Sequence, residues 1–323
     1  MREWQIEKND AGQRLDKFLS KALCNMPSSL LYKSIRKKKI KLNRKRAAPD
    51  DILHEGDTLQ LFLHDEFFQK DNQATTDTLA SIRPKLSIIY EDSNILLLNK
   101  RPGVSVHEDA DQTTDNLLTH LQAYLYQKNE YNPYAEHAFA PALCNRIDRN
   151  TGGIVIAAKN AESLRIMNEK IRAREIDKYY LCAVHGTPNP RTATLTAYLR
   201  KLADENRVLV YDRPTGARDE KKILTQYKVL QTKDNISLLE VALLTGRTHQ
   251  IRAHMAHIGH SLVGDGKYGV NRADRAIGYK YQALCSYRLR FSFKDKEHAL
   301  SYLTGKEFSI PLEDVYFTEL FKS

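Results

Sequence analysis

The chain has 323 residues, with 50 Lys and Arg against 40 Asp and Glu and a formal charge of +10. Hydrophobic residues make up 41% and charged residues 28%, which excludes a disordered or collagen-like chain and suggests about two folded domains. The longest aliphatic run, Ile154 to Ala158, falls far short of the roughly 20 residues of a membrane span, and Met1-Arg2-Glu3-Trp4 offers no apolar signal core. Cys24, Cys144, Cys182 and Cys285 lie far apart with no C-x-x-C pair, so they read as neither zinc site nor disulfide frame, and a cytoplasmic location is the expectation.

The charge is concentrated. Leu31 to Arg46 holds nine basic residues (Lys33, Arg36, Lys37, Lys38, Lys39, Lys41, Arg44, Lys45, Arg46) and no acidic one; without them the balance is 41 against 40. Such a block suggests a polyanion partner, the alternative being a solvated helix face or a flexible basic arm. Its context is that of a folded module. Leu15, Phe18, Leu19 and Ala22 recur at a helical period, and Pro27-Ser28-Ser29 offers an N-cap for a second helix through Leu31 and Ile35. The basic run starts on this helix and passes its C-terminus, where cations suit the dipole. Ile40, Leu42 and Thr58 to Leu63 read as short strands, with Gly56-Asp57 as a turn.

Asp65 to Arg83 is polar and uneven and reads as a linker. From Leu86 a longer domain begins. Ser87 to Tyr90 and Ile95 to Lys100 look like strands, followed by a Pro102-Gly103 turn. Ile154 to Ala158 reads as a buried strand, and Asn160 as the cap of a helix with Leu164, Met167 and Ile171 on one face. Tyr180 to Val184 is a further strand, and Ile223 to Leu230 pairs with Ile236 to Leu243 across Asp234-Asn235. Strands joined by short turns outnumber helices, so the fold class is α+β: a mixed, mainly antiparallel central sheet with flanking helices.

Three segments stand out for chemistry. In Asn145 to Gly153, Arg146 and Arg149 flank Asp148, which favours its ionised form; the alternative is an Asx-turn aspartate supporting the Thr151-Gly152-Gly153 bend. In Lys178 to Gly186, strand alternation puts Tyr180, Cys182 and Val184 on one face, as site or as core. In Thr245 to His260, Ile251, Met255 and Ile258 form a helical stripe with Arg252 beside it. The four histidines of this block invite a metal reading. There is no H-E-x-x-H, however, and no acidic residue between Gly246 and Gly264, so no metal is expected.

Two resemblances tie these segments together. Arg14 to Leu19, Ser34 to Lys45 and Glu55 to Leu59 resemble the αL RNA-binding domain, with Lys38 and Lys39 where that family has a glycine turn. From Leu86 onward the chain resembles the RluA-type pseudouridine synthase family. The matching residues are Asn99-Lys100-Arg101-Pro102-Gly103-Val104, Arg146-Ile147-Asp148 with Thr151 and Gly153, Lys178 with Tyr180 and Gly186, Gly246 to Arg252, His257 to His260, Gly264-Asp265 and Tyr268-Gly269. Departures are Asn145 for a usual His, Ile147 for Leu, Gly152 for Ser and Cys285 for His.

The resemblance implies a pseudouridine synthase fold over 87–323, a linker over 65–86 and an αL-type domain over 1–64. It implies that Asp148 is the catalytic aspartate and that Arg252 pairs with it and orients it. Tyr180 would stack on the uracil and assist the proton at C5, and Arg146 would displace or replace the flipped nucleotide. Asn99, Lys100, His249 and Gln250 are further substrate-binding candidates, and the nine cations of the basic block are the RNA-binding set. No cofactor is expected, because isomerising uridine transfers no electrons and adds no atom. Asp148 would attack the sugar or the base, or remove the 2′ proton. The expected partner is RNA, ribosomal RNA first and transfer RNA second, with no membrane, no DNA and a monomer as default. The competing readings are a non-catalytic RNA-binding or ribosome-assembly factor and a metal-dependent hydrolase.

Overall fold

The computed structural model describes residues 1–68, 72–108, 115–202, 207–295 and 297–322. Near the N-terminus, β1 (Arg2–Gln5), β2 (Ile40–Leu42), β3 (Lys45–Arg46) and β4 (Thr58–Leu61) form a sheet in the order β1-β4-β2-β3. Helices α1 (Leu15–Ala22) and α2 (Ser28–Arg36) cover it. The predicted stripe of Leu15, Phe18, Leu19 and Ala22 is buried against Leu31, Ile35, Ile40, Leu59 and Leu61. The expected serine cap is not made: Pro27 takes the cap position without a side-chain bond, and Ser28 is already helical.

The helix α2 stops without a glycine. Lys38 takes the left-handed conformation (φ 59°), its N–H donates to the Ile35 carbonyl at 3.0 Å, and the Lys39 N–H reaches Ser34 at 3.0 Å. This is a Schellman closure with lysine where glycine is usual. Asn43 and Arg44 are also left-handed (φ 50° and 63°) and turn the chain from β2 into β3. The helix end, the closure and the hairpin thus leave Lys33, Arg36, Lys37, Lys38, Lys39, Arg44, Lys45 and Arg46 exposed and Lys41 half-buried.

The expected linker is largely ordered. A 3-10 turn spans Asp65–Phe68, residues 69–71 lie outside the described set, and helix α3 (Asn72–Ser81) follows. Leu79 anchors α3 in the main core, and Gln127 donates to the carbonyls of Leu79 (3.3 Å) and Ile82 (2.8 Å). One buried leucine in a polar stretch gives no readable period, which is why the helix is invisible in the sequence.

The main sheet uses β5 (Ile88–Glu91), β6 (Ile95–Lys100), β7 (Ala142–Leu143), β8 (Gly152–Ala158), β9 (Ile176–His185), β10 (Thr192–Lys201), β11 (Val208–Tyr211), β12 (Lys221–Lys233), β13 (Ile236–Leu243), β14 (Leu284–Phe291) and β15 (Glu307–Ser309). The strand order is β11-β10-β12-β13-β9-β14-β8-β6-β5, with β7 on β8 and β15 on β14. Asp234 and Asn235 (φ 49° and 59°) close the predicted β12–β13 hairpin. Helices α4 (Leu117–Gln127) and α6 (Gln250–His257) bury one face with Tyr180, Cys182 and Val184. Helix α5 (Ala161–Arg172), capped by Asn160 as expected, and the C-terminal Leu300, Leu303, Phe317 and Phe321 bury the other.

Among the described residues every ladder of this sheet is antiparallel except the short join of β14 with β8, where Cys285 faces Gly152 and Ser286 faces Gly153. Gly153 has φ 117°, and a Cβ there would lie 2.3 Å from the Ser286 carbonyl oxygen, so the seam admits only glycine. The chain entering β8 at this seam carries Asp148.

Candidate active site

Residues 145–151 form the loop between β7 and β8, pinned from four sides. Asn145 Oδ1 accepts from the Ile156 N–H (2.8 Å), and Gln282 Nε2 donates to Thr151 Oγ1 (3.1 Å). Lys100 Nζ donates to the carbonyls of Arg149 (2.8 Å), Val104 (2.8 Å) and Arg101 (3.1 Å). The Gly103 N–H reaches the Arg149 carbonyl (2.9 Å), and Arg149 Nε returns a bond to the Gly103 carbonyl (3.1 Å). The loop is therefore held rigidly, and Asp148 is left half-buried at its apex.

The guanidinium that binds Asp148 comes from a distant element. Arg252 on α6 donates from Nη1 to Asp148 Oδ2 at 3.0 Å. Its Nε and Nη2 form a fork on Asp265, at 2.7 and 2.9 Å. Arg252 and Asp265 are both buried. Burial opposes ionisation of Asp265, but Arg252 and the N–H groups of Lys267 and Tyr268 outweigh it and hold the carboxyl below the usual range. Burial likewise works against the guanidinium, and the two carboxylates raise its pKa regardless. The Tyr268 ring covers Arg252 at 5.3 Å.

His249 completes the cluster. It is left-handed (φ 53°) at the N-cap of α6, with Nε2 3.7 Å from Asp148 Oδ2 and Nδ1 2.8 Å from the Tyr268 hydroxyl. Burial pushes the imidazole down to about 4. Tyr180 on β9 lines the same cleft, and burial raises its phenol to about 12. The cleft, of about 950 Å³, gathers Asp148, Tyr180, His249, Arg252 and the exposed Arg146.

Three substrate-binding candidates carry structural contacts in this fold. Lys100 is 1% exposed with its ammonium spent on three carbonyls, so it is a strut under the loop. Gln250 is buried: it donates to the Leu224 carbonyl and Thr225 Oγ1 (3.0 Å each) and accepts from Thr245 Oγ1 (2.9 Å), tying α6 to β12. Asn99 pairs with Ile154 in the sheet and does not line the cleft. The four histidines of the block face four different partners: Tyr268, Thr225 (from His254), Asp212 (from His257) and the His185 carbonyl (from His260).

Two features escaped the sequence reading. Asp265 was visible only as a motif residue, although a buried arginine needs a second acceptor. Arg172, Arg174, Lys178 and Arg247 line the cleft with Arg146, a basic wall dispersed over three segments and hence absent from any charge run. Cys285 and Gly152, two departures from the family pattern, face each other in the seam beneath the loop, out of reach of the cleft surface.

Comparison with known proteins gives the family. The family model described as RNA pseudouridylate synthase matches residues 94–257, a span that contains Asp148, Tyr180 and Arg252. The chain belongs to the RNA pseudouridylate synthase family. It is an RNA-modifying isomerase. It is 31% identical over 277 residues to the ribosomal large subunit pseudouridine synthase C of Buchnera aphidicola subsp. Baizongia pistaciae, covering 85% of this chain and 83% of that one. To the protein of the same name from Escherichia coli K12 it is 30% identical over 274 residues, covering 84% and 81%. The solved human RNA pseudouridylate synthase domain containing 1 shares the fold, with a TM-score of 0.56, 23% identity and coverage of 73% of this chain and 86% of that one. The α+β class expected from the sequence is that of this family.

The histidines set a pH dependence. Burial holds His249 and His254 at about 4, against 6.5 for a free imidazole. The unfolded chain therefore takes up these protons first as pH falls below 6.5, and stability present above 6.5 is lost progressively toward pH 4. Thermal melts at constant ionic strength should show a lower Tm at pH 5 than at pH 7; an equal or higher Tm at pH 5 contradicts this assignment.

Proposed function

We propose that Asp148 carries the isomerisation of uridine to pseudouridine, held in place by Arg252, without a cofactor. The observation behind this reading is the division of labour between the two carboxylate oxygens. Oδ2 is bound to Arg252, while Oδ1 accepts no hydrogen bond among the described residues, and Asp148 lines the cleft. The reaction breaks the bond from C1′ to N1, turns the base and rejoins C1′ to C5. It needs a group that can act as nucleophile or base and requires no net electron transfer. Tyr180 supplies an aromatic face for the uracil, and its high pKa keeps it protonated.

The uridine must leave its stack, at a cost of a few kcal/mol. Contacts to the RNA backbone offset that cost. The 1–64 unit serves as an αL-type RNA-binding domain, presenting the nine cations of the block from Leu31 to Arg46, eight of them exposed. The basic wall of Arg146, Arg172, Arg174, Lys178 and Arg247 takes the strand at the cleft. The names of the bacterial relatives favour large-subunit ribosomal RNA as the target.

Asp148→Asn should lower single-turnover pseudouridine formation by roughly 10³-fold or more while leaving RNA affinity within a few-fold. Turnover near wild type would remove Asp148 from the reaction. Mapping the pseudouridines lost on gene deletion identifies the target: losses confined to transfer RNA would overturn the ribosomal assignment, and no loss at all would favour an assembly factor.

A second test concerns the basic face. Neutralising Lys37, Lys38, Lys39 and Lys41 together should flatten the log–log salt dependence of RNA binding by roughly 3 if each meets a phosphate of a single strand. An unchanged slope would mean that this face does not touch the RNA.

A further inference from the structure

We propose that His249 is fixed as the neutral Nε2–H tautomer and presents that proton to an acceptor oxygen of the target nucleoside beside Asp148. The inference rests on the reading of Asp148 as the reacting group and adds a donor to it.

The chain of hydrogen bonds sets the tautomer. The Val208 N–H donates to the Tyr268 hydroxyl oxygen at 3.0 Å, and a backbone N–H has no other role. That leaves Tyr268 one proton to give. Among the described contacts, His249 Nδ1 at 2.8 Å is the acceptor within its reach. Nδ1 therefore holds a lone pair, and the proton of the neutral ring is on Nε2. Burial keeps the ring neutral, helped by Arg252 and Lys267 and opposed by Asp148 and Asp265.

No described residue takes up the Nε2–H. Asp148 Oδ2 lies 3.7 Å away, beyond hydrogen-bond reach, and already accepts from Arg252. With 8% of its side chain exposed at the wall of the cleft, the ring can offer this donor to a bound nucleoside. A flipped uridine brings carbonyl and ribose oxygens to that place. Being neutral, His249 can donate without competing with Arg252 for the Asp148 charge.

The arrangement is built in. His249 holds a left-handed backbone that a non-glycine residue keeps only when its surroundings enforce it. Asp265 supports the hydroxyl that His249 meets. Its Oδ1 accepts from the N–H of Lys267 (2.9 Å) and Tyr268 (3.2 Å), so the carboxylate that grips Arg252 also sets the turn that delivers Tyr268 to His249.

The tautomer is read directly from two-bond ¹H–¹⁵N correlations of the full-length ¹⁵N-labelled protein at pH 7, with His249→Gln identifying the signal. The expected pattern is a pyridine-like Nδ1 and a pyrrole-like Nε2. A protonated Nδ1, or an imidazolium, would overturn the proposal without any bearing on Asp148, because no turnover is measured. In Tyr268→Phe, which keeps the ring over Arg252, the tautomer preference should be lost. In kinetics, His249→Leu should lower kcat/KM about tenfold, and His249→Gln, which retains a donor, should recover part of that loss. Wild-type kcat/KM in the Leu variant would overturn the donor role. If the Leu variant fails to fold, the wild-type spectrum still decides the tautomer.

Discussion

The site depends on one buried guanidinium. Arg252 lies between Asp148 and Asp265, and its position follows from the cost of burying charge. A buried arginine is tolerated only with its donors paired, and removing one partner of such a group typically costs about 3–5 kcal/mol. Asp265 takes two donors in a fork and Asp148 takes a third, so the guanidinium plane is set from behind and the Asp148 carboxylate from in front. The same carboxylate of Asp265 organises the turn that carries Tyr268, whose ring covers Arg252 and whose hydroxyl meets His249. Arg252, Tyr268 and His249 are thus all tied to Asp265, itself 1% exposed.

The sheet supplies the complementary constraint. The loop bearing Asp148 enters β8 where that strand meets β14 in parallel, and the approach is so close that Gly153 cannot carry a side chain. Lys100, Gln282 and Asn145 then fasten the loop at its other points. Arg252 on α6 and Asp148 on the loop are 104 residues apart in sequence, and their 3.0 Å contact is maintained because both supports are rigid. The N-terminal unit is also fastened: Asn9 donates to Glu136 (2.8 Å), Arg165 donates to the Ala11 carbonyl (3.0 Å), and Trp4 stacks on His137 at 4.6 Å.

What was legible in the sequence was what periodicity and motif spacing encode. The stripe of α1, the Asn160 cap, the buried β8 strand and the β12–β13 turn follow from local rules. The grouping of Asp148, Tyr180 and Arg252 came from resemblance, and the structure brings the three into one cleft. What stayed hidden depends on three-dimensional partners. Lys100 and Gln250 look like ligand contacts because they are polar residues in motifs, and only the fold shows their donors spent on partners inside the protein. Asp265 looks like an ordinary loop aspartate until Arg252 is folded against it. The basic wall of the cleft is scattered over 146–247, so no window of sequence contains it. Lys38 shows a further limit: a missing glycine does not abolish a left-handed turn when the Schellman bonds hold it.

The central claim is that Arg252 and Asp265 act as one unit in presenting Asp148. A double-mutant cycle on the single-turnover rate tests it most directly, using Arg252→Lys, Asp265→Asn and the pair on saturating RNA. The account predicts that each single change costs nearly as much as both together, because either one dismantles the same support. Losses that simply multiply would show two independent contributions and would contradict it.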